Sequence, residues 1–84
     1  MLERVEDDEE GCFLVFFDFT GKISQYFYKN LERIQKRQGD GKKVQFSVLE
    51  CTHLRTAKVI ALLAQHYEGE VLIYKNAEKV HLPH

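Results

Sequence analysis

Cys12-Phe13-Leu14-Val15-Phe16-Phe17-Asp18-Phe19 reads as one extended strand in which a single carboxylate interrupts an apolar run near its end. Side chains on a strand alternate faces, so Phe13, Val15, Phe17 and Phe19 look one way while Cys12, Leu14, Phe16 and Asp18 look the other. Both faces are apolar. That predicts a strand in the middle of a sheet covered on both sides, by this chain or by a partner. Asp18 is the residue in the run that needs a chemical reason.

Downstream, Thr20-Gly21 turns the chain, and Ile23, Phe27, Leu31 and Ile34 then recur at helical spacing. Lys22, Lys29, Arg33, Lys36 and Arg37 gather on another side of the same wheel, with Tyr26 beside them. Gly39-Asp40-Gly41 ends this helix. Residues 43–51 read as extended chain, with Val44, Phe46 and Val48 on one face and Gln45, Ser47, Leu49 and Cys51 on the other. A break near Ser47 either splits this segment into a short hairpin or bends it. Thr52 is the expected N-cap of a second helix over about 53–67. Its inner face is Val59, Ile60, Leu63, Ala64 and Tyr67, and Arg55, Lys58, Gln65 and His66 look outward. Gly69 stops it, and Val71-Leu72-Ile73-Tyr74 forms the last strong strand.

Strand, helix, extended pair, helix, strand is the βαββαβ order of a ferredoxin-like α+β sandwich, an antiparallel sheet with two helices on one face. The helices cover only that face. Leu14, Phe16 and one of Leu72 or Tyr74 are left on the other, and burying each such side chain contributes ~1.5–3 kcal/mol. The economical symmetric solution is a sheet-to-sheet homodimer. The tail segment Glu78 to Leu82 reads either as a short strand crossing to the partner's sheet or as a loose end.

The chain has 84 residues, 44% of them hydrophobic, enough for one domain at residues 11–84 and no second core. Residues 1–10 carry six of the thirteen acidic side chains and one of the twelve basic ones, and read as an acidic flexible arm. The remainder is therefore basic, at about +4. There is no signal peptide and no apolar span of membrane length, which points to a cytoplasmic protein without a membrane partner. In that compartment Cys12 and Cys51 are expected as buried free thiols, a cross-strand disulfide being the alternative. His53, His66, His81 and His84 have no zinc-site spacing.

Two readings of Asp18 follow from position. It accepts backbone N–H bonds from the Thr20-Gly21 turn, or it meets its symmetry mate across the dimer axis, where a hard cation, Mg²⁺ or Mn²⁺, relieves the repulsion. Ser47 is either a small packing residue or one that orients substrate or water at such a site, and Gln45 divides in the same way. The cationic helix side, with Lys42 and Lys43, is either a solvated exterior or a surface for nucleic-acid phosphates on which Tyr26 stacks a base. Duplex binding by shape and phosphate suits a surface of this kind.

Lys43-Val44-Gln45-Phe46-Ser47-Val48-Leu49-Glu50-Cys51 resembles the "arginine, valine, glutamine, aromatic, serine, valine, phenylalanine, glutamate" block of the small CRISPR adaptation proteins of the Cas-two family. Phe17-Asp18 at the end of the first strand and Val71-Leu72-Ile73-Tyr74 fit the same family in order. The likeness spans about residues 12–75. Lys43 stands for the arginine and Leu49 for the phenylalanine, and Thr20-Gly21-Lys22 replaces an acidic, arginine-rich helix start. The resemblance implies a ferredoxin-like homodimer that scaffolds the CRISPR integrase subunit on duplex DNA and, in some members, a metal-dependent endonuclease acting on RNA or DNA. Asp18 would be the catalytic, metal-binding residue, with Mg²⁺ or Mn²⁺ as cofactor and Ser47 beside it. Nucleic acid would meet Lys22, Tyr26, Lys29, Arg33, Lys36, Arg37, Lys42 and Lys43. A toxin-like ribonuclease and a non-catalytic protein-interaction dimer are the alternatives on the same fold.

Overall fold

A computed structural model of the chain describes residues 8–76. The element order is β1 (Glu10–Asp18), α1 (Gln25–Gln38), β2 (Lys42–Gln45), β3 (Val48–His53), α2 (Leu54–His66) and β4 (Glu70–Lys75). The strands form one antiparallel sheet in the order β2-β3-β1-β4, with β1 paired to both β3 and β4. This is the expected βαββαβ arrangement, compatible with a ferredoxin-like fold. The expectations for Glu78 to Leu82, His81, His84 and most of the acidic arm concern residues outside the described range. No helix among the described residues is long and apolar enough to cross a membrane.

The odd residues of β1 build the core. Phe13, Val15 and Phe17 lie beneath the helices, joined by Leu49 and Cys51 of β3, Phe27 and Leu31 of α1, and Ala57, Ile60, Leu63 and Ala64 of α2. Ile23, Ile34, Tyr67, Val71 and Ile73 complete it as half-buried neighbours. The ring of Phe27 touches those of Phe17, Phe19 and Tyr67 edge to face, with centroids 5.3, 4.9 and 6.1 Å away. Both cysteines are free thiols, and Cys51 is fully buried. Burial, then the nearby charges of Asp40 and Glu50, push its pKa up to about 12, so it remains a protonated, unreactive thiol.

One alternative left open by the sequence is resolved, and two local details differ from expectation. Residues 43–51 split into a hairpin whose turn is Phe46-Ser47, with an irregularity between Lys43 and Gln45. The turn sets Gln45 opposite Val48, on the sheet face away from the helices, and parts it from Leu49. Helix α1 begins at Gln25, where the Ser24 hydroxyl accepts the Tyr26 N–H at 3.1 Å, so Lys22 precedes the helix. It ends at Gly39, whose left-handed φ of 62° satisfies the C-cap, and Gly41 then passes so close to α2 that a Cβ there would stand 3.2 Å from Ile60 Cδ1.

Thr52 does not cap α2. Strand β3 runs directly into the helix, so Thr52 is still extended and His53 occupies the cap position without a side-chain bond. The helix start is held from elsewhere: the Leu54 N–H donates to Glu9 O at 2.8 Å and the Arg55 N–H to Asp8 Oδ1 at 3.1 Å. The Asp8 carboxylate also meets His53 Nδ1 at 3.1 Å. Glu9 pairs with Lys75 at 2.6 Å, and β1 already begins at Glu10. Residues 8–10 are therefore part of the folded domain, and its boundary falls earlier than residue 11.

Asp40, in the loop after α1, clamps the β3–α2 junction. Its carboxylate accepts from the Thr52 N–H at 2.9 Å, the Thr52 hydroxyl at 3.1 Å and the His53 N–H at 3.0 Å. Burial opposes its ionisation, but hydrogen bonds from Thr52, Gly41, Thr56 and His53 outweigh burial and hold its pKa below the usual 3.8. A carboxyl whose pKa falls on folding contributes stability above its unfolded pKa and loses it as pH drops through the lowered folded value. Asp40→Asn should thus lower stability by about 1 kcal/mol at neutral pH, the scale of a lost helix cap. In urea titrations the gap between the two proteins should close as pH falls below 3.8; a gap that is constant down to low pH would refute the clamp.

Candidate metal centre and nucleic-acid interface

The sheet face away from the helices is set by the even residues of β1. Leu14 is flanked in register by Glu50 and Tyr74, Phe16 by Val48 and Leu72, and Asp18 by Glu70 of β4. Phe16 is 36% exposed, Leu72 60% and Tyr74 54%, with the Phe16 and Tyr74 rings in edge contact at 5.3 Å. Among the described residues nothing covers this apolar strip.

Asp18 closes β1 at one end of the strip and is exposed. No N–H of the Thr20-Gly21 turn donates to it among the described residues, so the turn-capping reading has no support here. Its cross-strand neighbour is instead a second acid. Like charges directly opposite on an antiparallel pair are destabilising, by up to about 1 kcal/mol. The two carboxylates border a hollow of about 750 Å³ that is also lined by Ser47, Gln65 and Gly69. Ser47 reaches this place because its carbonyl accepts the Phe17 N–H at 3.1 Å, which ties the hairpin turn to the end of β1. Asp18 and Ser47 therefore border one hollow, while Gln45 lies along the open face beside Val48.

The donors around this hollow are hard oxygens, the kind Mg²⁺ and Mn²⁺ take together with water. Among the described residues no group of three or more His, Cys, Asp or Glu side chains gathers at any point. The chain thus offers two carboxylates here, Asp18 and Glu70. Glu70 was missed in the sequence because it stands before the apolar run of β4, and only the strand register sets it against Asp18.

The cationic surface is on the other side of the sheet. Lys29, Arg33, Lys36 and Arg37 are all exposed on α1, and Tyr26 at its start is 63% exposed. The Lys29 ammonium lies 5.9 Å from the Tyr26 ring centroid, and Lys36 pairs with Glu32 at 3.2 Å. Lys36 and Arg37 in the last turn also complement the helix dipole. Lys22 is exposed in the segment before the helix and does not share its wheel. Lys42 and Lys43 begin the edge strand β2, across a shallow hollow from the end of α1 that Asp40 and Glu50 also line. The structure thus brings Lys42 and Lys43 next to the end of the helix, Lys43 opposite the core residue Leu49 and Lys42 opposite Glu50 on the open face, and it is the charges of α1 that the sheet separates from Asp18.

Comparison with models of known protein families gives no match, and comparison with curated proteins gives none either. Among solved structures, the chain is similar to the crystal structure of a hypothetical protein, TT1823, from Thermus thermophilus. The two share 22% sequence identity at a TM-score of 0.55, over 90% of this chain and 93% of the other. At that identity the likeness shows a shared fold.

Relief of the Asp18–Glu70 repulsion is measurable. Glu70→Gln should raise stability by roughly 0.2–1 kcal/mol at low ionic strength. If the carboxylates share a cation, millimolar Mg²⁺ should raise the melting temperature of the wild type more than that of the variant. Equal response of both proteins to Mg²⁺ would exclude Glu70 from the ion's surroundings.

Proposed function

We propose that two copies of this chain pack through their open sheet faces and bind nucleic-acid duplexes along α1, in the manner of the CRISPR adaptation proteins that residues 43–51 resemble. The observation that carries the reading is the in-register apolar strip of Leu14, Phe16, Leu72 and Tyr74 on a sheet that has helices on one face only. Full burial of such a side chain contributes ~1.5–3 kcal/mol; covering the part still exposed contributes a fraction of that for each, and a self-complementary pairing covers them twice over. The same pairing turns both α1 helices outward, so their charges stay available to phosphates.

Lys29, Arg33 and Arg37 follow one another at four-residue steps, about 6 Å apart along the helix axis. Point charges on a convex helix suit the backbone of a rigid duplex and carry no base readout. In this reading the helix supplies position and affinity, and the protein acts as a scaffold on DNA or RNA for an integrase partner.

A second reading, metal-dependent endonuclease, is favoured by the Asp18–Glu70 pair. Asp18, with Glu70 beside it, would hold Mg²⁺ or Mn²⁺, and the ion would supply a water of lowered pKa next to a phosphate. Ser47 and Gln65 at the same hollow would orient the substrate by hydrogen bonds.

Fluorescence anisotropy with a DNA duplex tests the first reading. The double variant Lys29→Glu and Arg33→Glu should bind more weakly, and the slope of log affinity against log salt should shrink by about 1.8 for two lost phosphate contacts. An unchanged affinity and slope would remove α1 from the interface. For the second reading, Asp18→Asn should abolish Mg²⁺-dependent cleavage of RNA or DNA; equal cleavage by both proteins would place the activity elsewhere.

A further inference from the structure

We propose that Phe46, at the tip of the β2–β3 hairpin, is a stacking platform for an unpaired base, so that the nucleic acid this protein takes has a single-stranded segment. The inference rests on α1 being the phosphate-binding surface, and adds to it the class of substrate.

The hairpin turn is two residues long, Phe46 and Ser47, between Gln45 of β2 and Val48 of β3. Its backbone is anchored on one side by the Ser47 carbonyl bonded to the Phe17 N–H and on the other by the β2–β3 ladder. The turn that carries the ring is thus fixed by the fold. Phe46 nevertheless remains 71% exposed, more than Phe16, Tyr26, Leu72 or Tyr74, and its neighbour Val44 is 51% exposed. A phenylalanine held out on a tight turn takes no part in the core of the domain.

Charge next to the ring selects the occupant. The Lys43 ammonium lies 5.3 Å from the Phe46 ring centroid, and Lys42 precedes it on the same strand. Cation and ring together are what a nucleotide of a single strand requires, a partner for its phosphate and a flat apolar surface for its base. Duplexed bases are stacked on their own neighbours and have no face to offer. The base of the hairpin also adjoins the end of α1 through the hollow shared by Gln35, Asp40, Lys42 and Lys43, and β2 leads from there to the tip.

The chain contains no tryptophan, so Phe46→Trp places a unique fluorophore at the tip. Adding a short oligothymidylate strand should quench its emission, and Phe46→Ala should bind that strand roughly ten-fold more weakly or worse. Affinity of Phe46→Ala for a blunt DNA duplex should stay within about two-fold of the wild type, since phosphate contacts supply duplex binding. Emission that does not change at strand concentrations up to those that saturate the protein, or equal strand affinity of wild type and Phe46→Ala, would overturn the inference. So would a blue shift of Phe46→Trp on raising protein concentration alone, which would put the ring in a contact between copies. Loss of duplex binding in Arg33→Glu with no effect at Phe46 would refute the platform and leave the helix reading standing. Quenching at Phe46→Trp with undiminished duplex binding in Arg33→Glu would do the reverse.

Discussion

The architecture depends on one mismatch: β1 is apolar on both faces, and the chain supplies helices for only one. Phe13, Val15 and Phe17 are sealed beneath α1 and α2, whereas Phe16 on the reverse side stays exposed between Val48 and Leu72. A central strand of this composition is expected to have both faces covered. Everything proposed about function starts from what covers the second face, since that contact decides whether the carboxylates at its end meet another pair and which surfaces remain for a ligand.

The carboxylate hollow and the cationic helix lie on opposite faces of the sheet, which limits the chemistry a single chain can do. A phosphate bound along Lys29, Arg33 and Arg37 is separated from Asp18 by the whole sheet and core. Binding on α1 and cleavage at Asp18 therefore call for different stretches of nucleic acid or for different activities, which is why scaffold and nuclease are separate readings. The hairpin belongs to both regions: Ser47 faces the hollow of Asp18 and Glu70, and Lys43 with Phe46 extends the cationic border.

The fold was legible in the sequence because its elements are written in periodicity. The spacing of Ile23, Phe27, Leu31 and Ile34 gives the inner face of α1, and the alternation through Cys12 to Phe19 gives the inner and outer faces of β1. Glycine punctuation placed the end of α1 correctly. Contacts between segments distant in sequence were not legible. Thr52 has the side chain of a helix cap, yet β3 continues through it, and the duty passes to Asp8, Glu9 and Asp40 from two other segments. For the same reason residues 8–10, read as part of a solvated arm by their charge, belong to the fold through contacts with His53, the start of α2 and Lys75. At the candidate site, Asp18 and Ser47 were found by residue type and resemblance, while Glu70 required the strand register. The alternation assigned Gln45 to the wrong neighbours because a two-residue turn intervenes before Val48.

Sedimentation equilibrium of the full chain, without nucleic acid and over a range of micromolar concentrations, tests the central claim most directly. The account predicts a mass twice the 9.9 kDa of one chain. A mass of one chain throughout that range would contradict it, for the apolar strip would then lie open to water and the paired acids would have no counterpart to face.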